Sequence, residues 1–368
     1  MILLLVLTLM SLLIYSYALV DPNLTLFNHS LWSIFREKMV YLGYYQRNIS
    51  WFIYLIIVVF LFILNYFFIK NYKKYNSFKI ALLIGSLLLL SYPFLSHDFF
   101  NYMFDAKILT FYHQNPYLKK ALDFPNDPWV RFMHWTHRTY PYGPVFLLIS
   151  LISSFFSFGK FILAFIFFKA TFVSFYLIAV YLLNKMNKKW AIIFATHPLV
   201  IIEGLVSPHN DLMAVSLAII GIYFLLNKKN IWSRFLLLVS GGIKYTSLPL
   251  ILLSKSNKKI NYFIFGLSII PIIYLGLTVD IQQWYFLIIL AFLPFFPDFI
   301  CKLWIFFLGI LLSYYPYIKL GGWDSTEKVV MKRQIILIFL GVNVLYLIIK
   351  KALSIRVNPK SKVPNIKK

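Results

Sequence analysis

The chain has 368 residues, of which 61% are hydrophobic, 20% aromatic and 13% charged, with a formal net charge of +24. A soluble domain carries roughly 25% charged residues, whereas the apolar runs here repeatedly approach the roughly 18–20 residues that cross a bilayer. These features exclude an ordinary soluble domain, and the Lys and Arg clusters in short loops between apolar runs point to anionic lipid rather than nucleic acid as the partner.

The expectation is an all-α integral membrane protein, one polytopic domain over 1–368, with about 11 transmembrane helices (10–13) and a long extracytoplasmic loop after the third. Residues 2–20 are apolar, with no basic residue ahead of the run and no small-residue cleavage site, so they predict a first span and not a cleaved signal peptide. A polar and aromatic connection (21–50) leads to a second span (51–69). Lys70, Lys73, Lys74 and Lys79 follow and place that loop in the cytoplasm. The third span (80–95) then exits, which makes 96–142 extracytoplasmic.

That loop holds Asp98, Asp105, Asp123 and Asp127, a third of the chain's 12 acidic residues, and four of its 7 histidines: His97, His113, His134 and His137. It is rich in aromatics and poor in Gly and Ser, so it is expected to fold on the membrane surface. Residues 144–158 are short for a span and are expected to lie on the surface or re-enter, and 161–184 cross. NKMNKK (184–189) is basic and inside, 190–206 run outward, and SPHND (207–211) shares the side of the long loop. Residues 212–226 return. Over 233–254, Gly241-Gly242, Lys244 and Pro249 predict two half-helices meeting near Lys244, with a plain span as the alternative. Further spans are expected at 260–279, 282–296, 301–318 and 334–350, before a basic cytoplasmic tail (351–368). The single Cys301 leaves no intramolecular disulfide.

The chemistry gathers in three places. Asp98, beside His97, sits where an apolar run meets water. Partial desolvation there raises a carboxylate's pKa and makes it a better base; the plainer reading is an N-cap, by Ser96 or Asp98, of the helical stretch FFNYMFDAKIL. Asp105 lies two turns on and on the same face, with Tyr102 between; it either helps orient a hydroxyl or pairs with a loop cation. The second place is EGLVSPHND (203–211). Glu203 is an ionisable group in an apolar stretch, and His209, Asn210 and Asp211 follow it. Asn210 or Asp211 also suits an N-cap. The third is Lys244, a cation between glycines and a proline, for which a phosphate is the natural partner and snorkelling to the interface the alternative. NPY (115–117) and YPYGP (140–144) read as loop-shaping turns. No HExxH, DxD or CxxC is present, so no metal is predicted, and no cofactor. There is no Walker motif or GxGxxG.

SYPFLSHDFFNYMFDAKILTFYHQNPY, TYPYGPVFLL, HPLVIIEGLVSPHNDLM, GGIKYTSLPLILL and QQWYFLIILAFLPFF occur in that order over about 85–298. The set resembles the multi-spanning GT-C glycosyltransferases, in particular the polyprenol-phosphate-mannose-dependent alpha-mannosyltransferases. The resemblance implies a polyprenyl-phosphate sugar donor, an extracytoplasmic site and a glycan or glycolipid acceptor. It implies that Asp98 is the catalytic base; His97 and Asp105 join the expected catalytic set from their places beside it in the sequence. It also implies a polar substrate-binding segment at Glu203, His209, Asn210 and Asp211, a phosphate contact at Lys244, and an aromatic pair, Trp284 and Tyr285, to stack on sugar or isoprenoid. Tyr102, Arg131 and Arg138 complete the expected substrate-binding set, the two arginines as loop cations for the leaving phosphate. The chain departs from its relatives at His97, where Arg is frequent, at Phe99-Phe100, and at Asp105, where a Gly-like residue is common.

Two other classes compete with this reading. A transporter or flippase of a lipid-linked sugar would also place Lys and Glu in the membrane, and it predicts two related halves, of which the sequence carries no sign. A polymerase or ligase acting on a lipid-linked oligosaccharide differs from the first reading in donor size.

Overall fold

The computed structural model describes residues 1–24, 26 and 28–357, without the side chains of 354–357. Most of the basic tail expected at 351–368 lies outside the described residues. Among those residues the chain is helical and has no strand; one isolated antiparallel bridge joins Lys120 to Thr139 in the long loop.

The helices in chain order are α1 (Ile2–Tyr15), α2 (Ser30–Val40), α3 (Arg47–Lys70), α4 (Ser77–Leu88) and α5 (Asp98–Thr110), then α6 (Pro144–Phe156), α7 (Phe161–Met186), α8 (Lys188–Ala195), α9 (Asn210–Leu226) and α10 (Asn230–Ile243), then α11 (Lys258–Thr278), α12 (Pro297–Cys301), α13 (Trp304–Leu312), α14 (Tyr315–Leu320) and α15 (Thr326–Val357). Five helical segments are long and apolar enough to cross a membrane: Ile2–Leu19, α3, α7, α11 and Thr326–Leu353. A sixth is obtained if α8 and the π-helical segment Val200–Val206, bent by 64° between them, are taken together. The other expected spans fall on shorter pieces. α4 has 12 residues, α9 has 17, and the stretch expected at 282–296 is a ten-residue 3-10 helix, Gln283–Phe292.

α3 shows why the long helices form. At 24 residues it is about 36 Å long. Tyr54, Ile57, Val58, Leu61, Leu64 and Phe68 are buried at helical spacing, while Phe52, Ile56 and Ile63 point outward, as a lipid-facing stripe requires. α9 differs: it is buried nearly all round, packed between α7 and α10, and forms the centre of the molecule. The break expected near Lys244 is present. α10 ends at Ile243, Lys244 is extended (φ −139°, ψ 118°), and a 3-10 helix containing Pro249 follows over Tyr245–Leu252. Pro144 opens α6 at a position where its missing N–H costs nothing.

The long loop is a folded cap. α5 is its backbone, with every residue from Phe99 to Ile108 buried. Lys107 and Asp127 form a short buried ion pair, Lys107 lies 3.9 Å from the Trp129 ring centre, and the Tyr112 hydroxyl donates to Asp127 at 2.7 Å. Another loop carboxylate, Asp123, closes a turn by accepting the Lys120 N–H.

Candidate active site

A cavity of about 850 Å³ opens where the start of the long loop, the α9 N-terminus, the break at Lys244 and residues 279–329 converge. Of the residues singled out in the sequence, His97, Asp98, Arg138, Asn210, Lys244, Trp284 and Tyr285 line it. They come from positions up to 188 apart in the chain, and three local breaks bring them together. The first is the turn before α5, where the Ser96 hydroxyl accepts the Asp98 N–H at 3.2 Å and His97, the N-cap residue, makes no side-chain cap. The second is the Ser207–His209 step into α9. The third is the extended Lys244.

Asp98 is one of two carboxylates, with Asp280, on the cavity wall. Its side chain is 15% exposed, and Arg138 Nη2 approaches Oδ1 at 3.4 Å. Burial pushes the Asp98 pKa above the ordinary carboxylate range; Arg138 and then Lys244 oppose the shift, and Asp211 adds to it. Arg138 is held over the Trp135 ring at 4.8 Å, and the Trp135 carbonyl accepts from Asn101 Nδ2 at 3.2 Å, which ties that part of the loop to α5. His97 and His134 stack at 3.5 Å with an interplanar angle of 12°. Burial, helped by His134, drives the His97 pKa down to about 3, so the ring is neutral at neutral pH. It shapes the wall and supplies no cation.

Across from Asp98, Lys244 Nζ donates to Asp211 Oδ2 at 2.9 Å and lies 4.9 Å from the Tyr285 ring centre. Asn210 faces the cavity with its Nδ2 unpartnered. Trp284 stacks on His209 at 3.7 Å and 10°.

The remaining predicted residues stand behind or away from this wall. Asp105 is buried under Arg138 and Asp98. Burial pushes its pKa to about 8, with Arg138 pulling down and Asp98 pushing up, so it is protonated at neutral pH. Tyr102 is buried edge-on against Tyr142 and Phe146, at 5.0 and 4.7 Å. Glu203 is fully buried. It accepts from the Tyr314 hydroxyl at 3.2 Å and lies 3.5 Å from His209 Nδ1. This pair braces the π-helical segment beneath Trp284. Arg131 sits exposed on the 3-10 turn Val130–Phe132 and does not reach the cavity.

Sequence reasoning passed over several residues that matter here. Lys169, inside α7, is 1% exposed. Its ammonium donates to Ser91 Oγ (2.9 Å), the Leu205 carbonyl (2.7 Å) and the Val206 carbonyl (2.8 Å). It thereby joins the turn before the long loop to the end of the π-helical segment. A Lys in the middle of an apolar run (161–183) was the available signal, the same one that singled out Lys244. The second omission is the far wall: Arg47 and Tyr44 from around the start of α3, Asp280, and Tyr317, Gly321, Gly322 and Trp323 around the end of α14. Tyr317 and Trp323 stack there at 5.5 Å, and nothing local in sequence ties these residues to Asp98. Among the described residues no three or more His, Cys, Asp or Glu side chains converge as a metal-ligand set.

The geometry is that of a cavity lined by two carboxylates, Asp98 and Asp280, three cations, Arg47, Arg138 and Lys244, and an aromatic border, set among helices long and apolar enough to cross a membrane. A family model for the alpha-(1->6)-mannopyranosyltransferase N-terminal domain matches residues 5–254, which include Asp98, Arg138, Asn210 and Lys244. No curated protein and no solved structure matches the chain. The matched stretch covers well over half of the chain, and with its apolar helices it establishes a membrane-bound glycosyltransferase: the chain belongs to the alpha-(1->6)-mannopyranosyltransferase family.

Proposed function

We propose that the protein moves a mannosyl group from a polyprenyl-phosphate donor to an extracytoplasmic glycan or glycolipid hydroxyl in a single displacement, with Asp98 as general base. The observation that carries this reading is the setting of Asp98: a largely enclosed carboxylate with a raised pKa, on the wall of a cavity that also presents Lys244 and Arg138.

The acceptor O–H gives its proton to the Asp98 carboxylate as its oxygen bonds to the anomeric carbon. The bond from that carbon to the phosphate oxygen breaks, and its electron pair leaves with the polyprenyl phosphate. Negative charge therefore grows on the phosphate, where fixed cations stabilise it most. Lys244 is the proposed contact, held ready by Asp211 and Tyr285, and Arg138 sets the orientation of Asp98. One displacement inverts the anomeric centre, so the α-linkage in the family's name calls for a sugar β-linked to the donor phosphate. His97 serves the site by shape, stacked on His134, and Asp105 by filling the space behind the wall. Trp284 and Tyr285 offer faces for the sugar or the isoprenoid. The extracytoplasmic placement rests on the basic residues after α3, which lie at the end opposite the cavity.

The test is transfer by the purified full chain in lipid discs, from polyprenyl-phosphate mannose to a lipid extract of the source cells, run beside Asp98→Asn. A positioned base contributes about 10²–10⁴-fold, and a folded Asp98→Asn protein should lose about that much. Equal transfer by the variant removes Asp98 as base. No transfer by the wild type from any polyprenyl-phosphate sugar sinks the donor assignment.

A further inference from the structure

The charges around the cavity do not balance pairwise. Arg138 faces Asp98 at 3.4 Å and Lys244 faces Asp211 at 2.9 Å. Asp280 is taken by a short ion pair with the fully buried Lys332, and Arg333 Nε lies 3.8 Å from its Oδ1. Arg47 is different. It lines the same cavity, yet among the described residues no carboxylate lies within 4.0 Å of its guanidinium. Of its five N–H donors, Nη1 makes a long 3.4 Å bond to the Ile318 carbonyl, and the group leans over the Tyr44 ring at 5.6 Å.

Two further observations say what such a cation is for. Arg47 is the first residue of α3, an apolar span of 24 residues, so it stands at the level where hydrocarbon gives way to water. The turn Gly321–Gly322 wraps against it. Gly321 has φ +97°, and a Cβ there would come within 3.1 Å of the guanidinium carbon, so the chain leaves room around Arg47 that a side chain would fill. An uncompensated guanidinium, in a cavity and at the membrane boundary, fits an anion whose other end is lipid.

We propose that Arg47 is the principal phosphate-binding residue, and that its ligand is the phosphate of a lipid carrier lying with its chain along the membrane and its head in the cavity. This rests on the polyprenyl-phosphate reading above and deepens it. Lys244, already neutralised by Asp211, then acts chiefly as charge builds on the departing oxygen. Arg47 holds the group before and after. As the sugar leaves, the phosphate passes from a diester with one negative charge to a monoester with a larger one, so Arg47 grips the product more firmly than the donor.

The test is binding, followed by tryptophan fluorescence of the full chain in detergent, with a polyprenyl monophosphate, the corresponding polyprenol and inorganic phosphate as probes. The wild type should bind the polyprenyl monophosphate best. Arg47→Gln should bind it about ten- to a hundredfold more weakly, with little change toward polyprenol, and Arg47→Lys should fall between. Wild-type affinity in a folded Arg47→Gln overturns the assignment and leaves the donor reading standing. Equal affinity of the wild type for inorganic and polyprenyl phosphate overturns the lipid source. If the wild type binds no polyprenyl phosphate and transfers from none, the donor reading falls as well. Should Arg47→Gln not fold, Arg47→Lys decides: its affinity must drop, and an unchanged value refutes the proposal.

Discussion

Lys169 offers a prediction whose size can be worked from its contacts. Lys169→Met keeps length and shape and removes the ammonium. Three acceptors then lose their donor: Ser91 Oγ and the carbonyls of Leu205 and Val206. Each buried acceptor left unmade costs about 1–3 kcal/mol, or roughly 3–9 kcal/mol together. Against this, the wild type bears the cost of burying a charge without a carboxylate, which amounts to several kcal/mol. Main-chain carbonyls cannot move to water without unwinding the segment that carries Glu203, so the first quantity should win. The expected outcome is a net loss of about 1–4 kcal/mol, read as a lower unfolding midpoint of purified protein in detergent. Ser91→Ala removes only one of the three acceptors and should cost about 1 kcal/mol. Transfer by Lys169→Met, measured below its melting temperature, should also fall, because the Ser207–Asp211 step is no longer braced. A Lys169→Met protein that melts with the wild type would show that the ammonium contributes nothing net, and the bracing role would be refuted.

As the proposed base, Asp98 is active only when ionised, so kcat/KM should fall on the acid side; burial places that fall above the ordinary carboxylate range. Arg138 lowers the Asp98 pKa, so Arg138→Gln should move the acid limb of the pH–rate profile to higher pH, and a limb that stays or moves down contradicts the pairing. Asp105 is protonated at neutral pH, so Asp105→Asn should change transfer at pH 7 by only a few fold. Its folded pKa of about 8 lies above the unfolded value of about 3.9. The stabilisation it gives is full below about pH 4 and is lost as pH rises through about 8, so Asp105→Asn should melt above the wild type in alkaline buffer and not in acid. Gly143 lets the start of α6 touch the chain at Gly242, where a Cβ would come within 2.0 Å of a carbonyl oxygen. Gly143→Ala should sharply reduce the yield of folded protein, measured by monodisperse elution.

The helical membrane class was legible because hydropathy is a local quantity, and so was the break at Lys244, which its glycines, its proline and an expensive charge announce within ten residues. Which apolar runs become helices long enough to cross was less so. α9 and the 3-10 helix Gln283–Phe292 are apolar because they are surrounded by protein, and an apolar run does not tell protein from lipid as its solvent. Asp98, Asn210 and Lys244 could be singled out as polar groups in or beside apolar runs, and Tyr285 only through the family resemblance; all four are found on one cavity. Asp105 and Glu203 share that chemistry and lie behind the wall, because charge and spacing along a helix do not say how deeply a face is packed. Arg47, Tyr317 and Trp323 carried no signal at all. Their place depends on α14 packing beside α3, a contact between segments more than 250 residues apart.

That far wall has a consequence for how the molecule can vary. Asp98, Arg138, Asn210 and Lys244 belong to residues 5–254, whereas Asp280, Tyr317, Gly321 and Trp323 come later in the chain. The gap between the two sets is fixed where they meet, at contacts such as the Tyr314 hydroxyl on Glu203. A chimera that exchanges the segment after residue 254 should therefore change one side of the cavity, including the Gly321–Gly322 turn against Arg47, while Asp98, Arg138, Asn210 and Lys244 stay on the part of the chain that is kept.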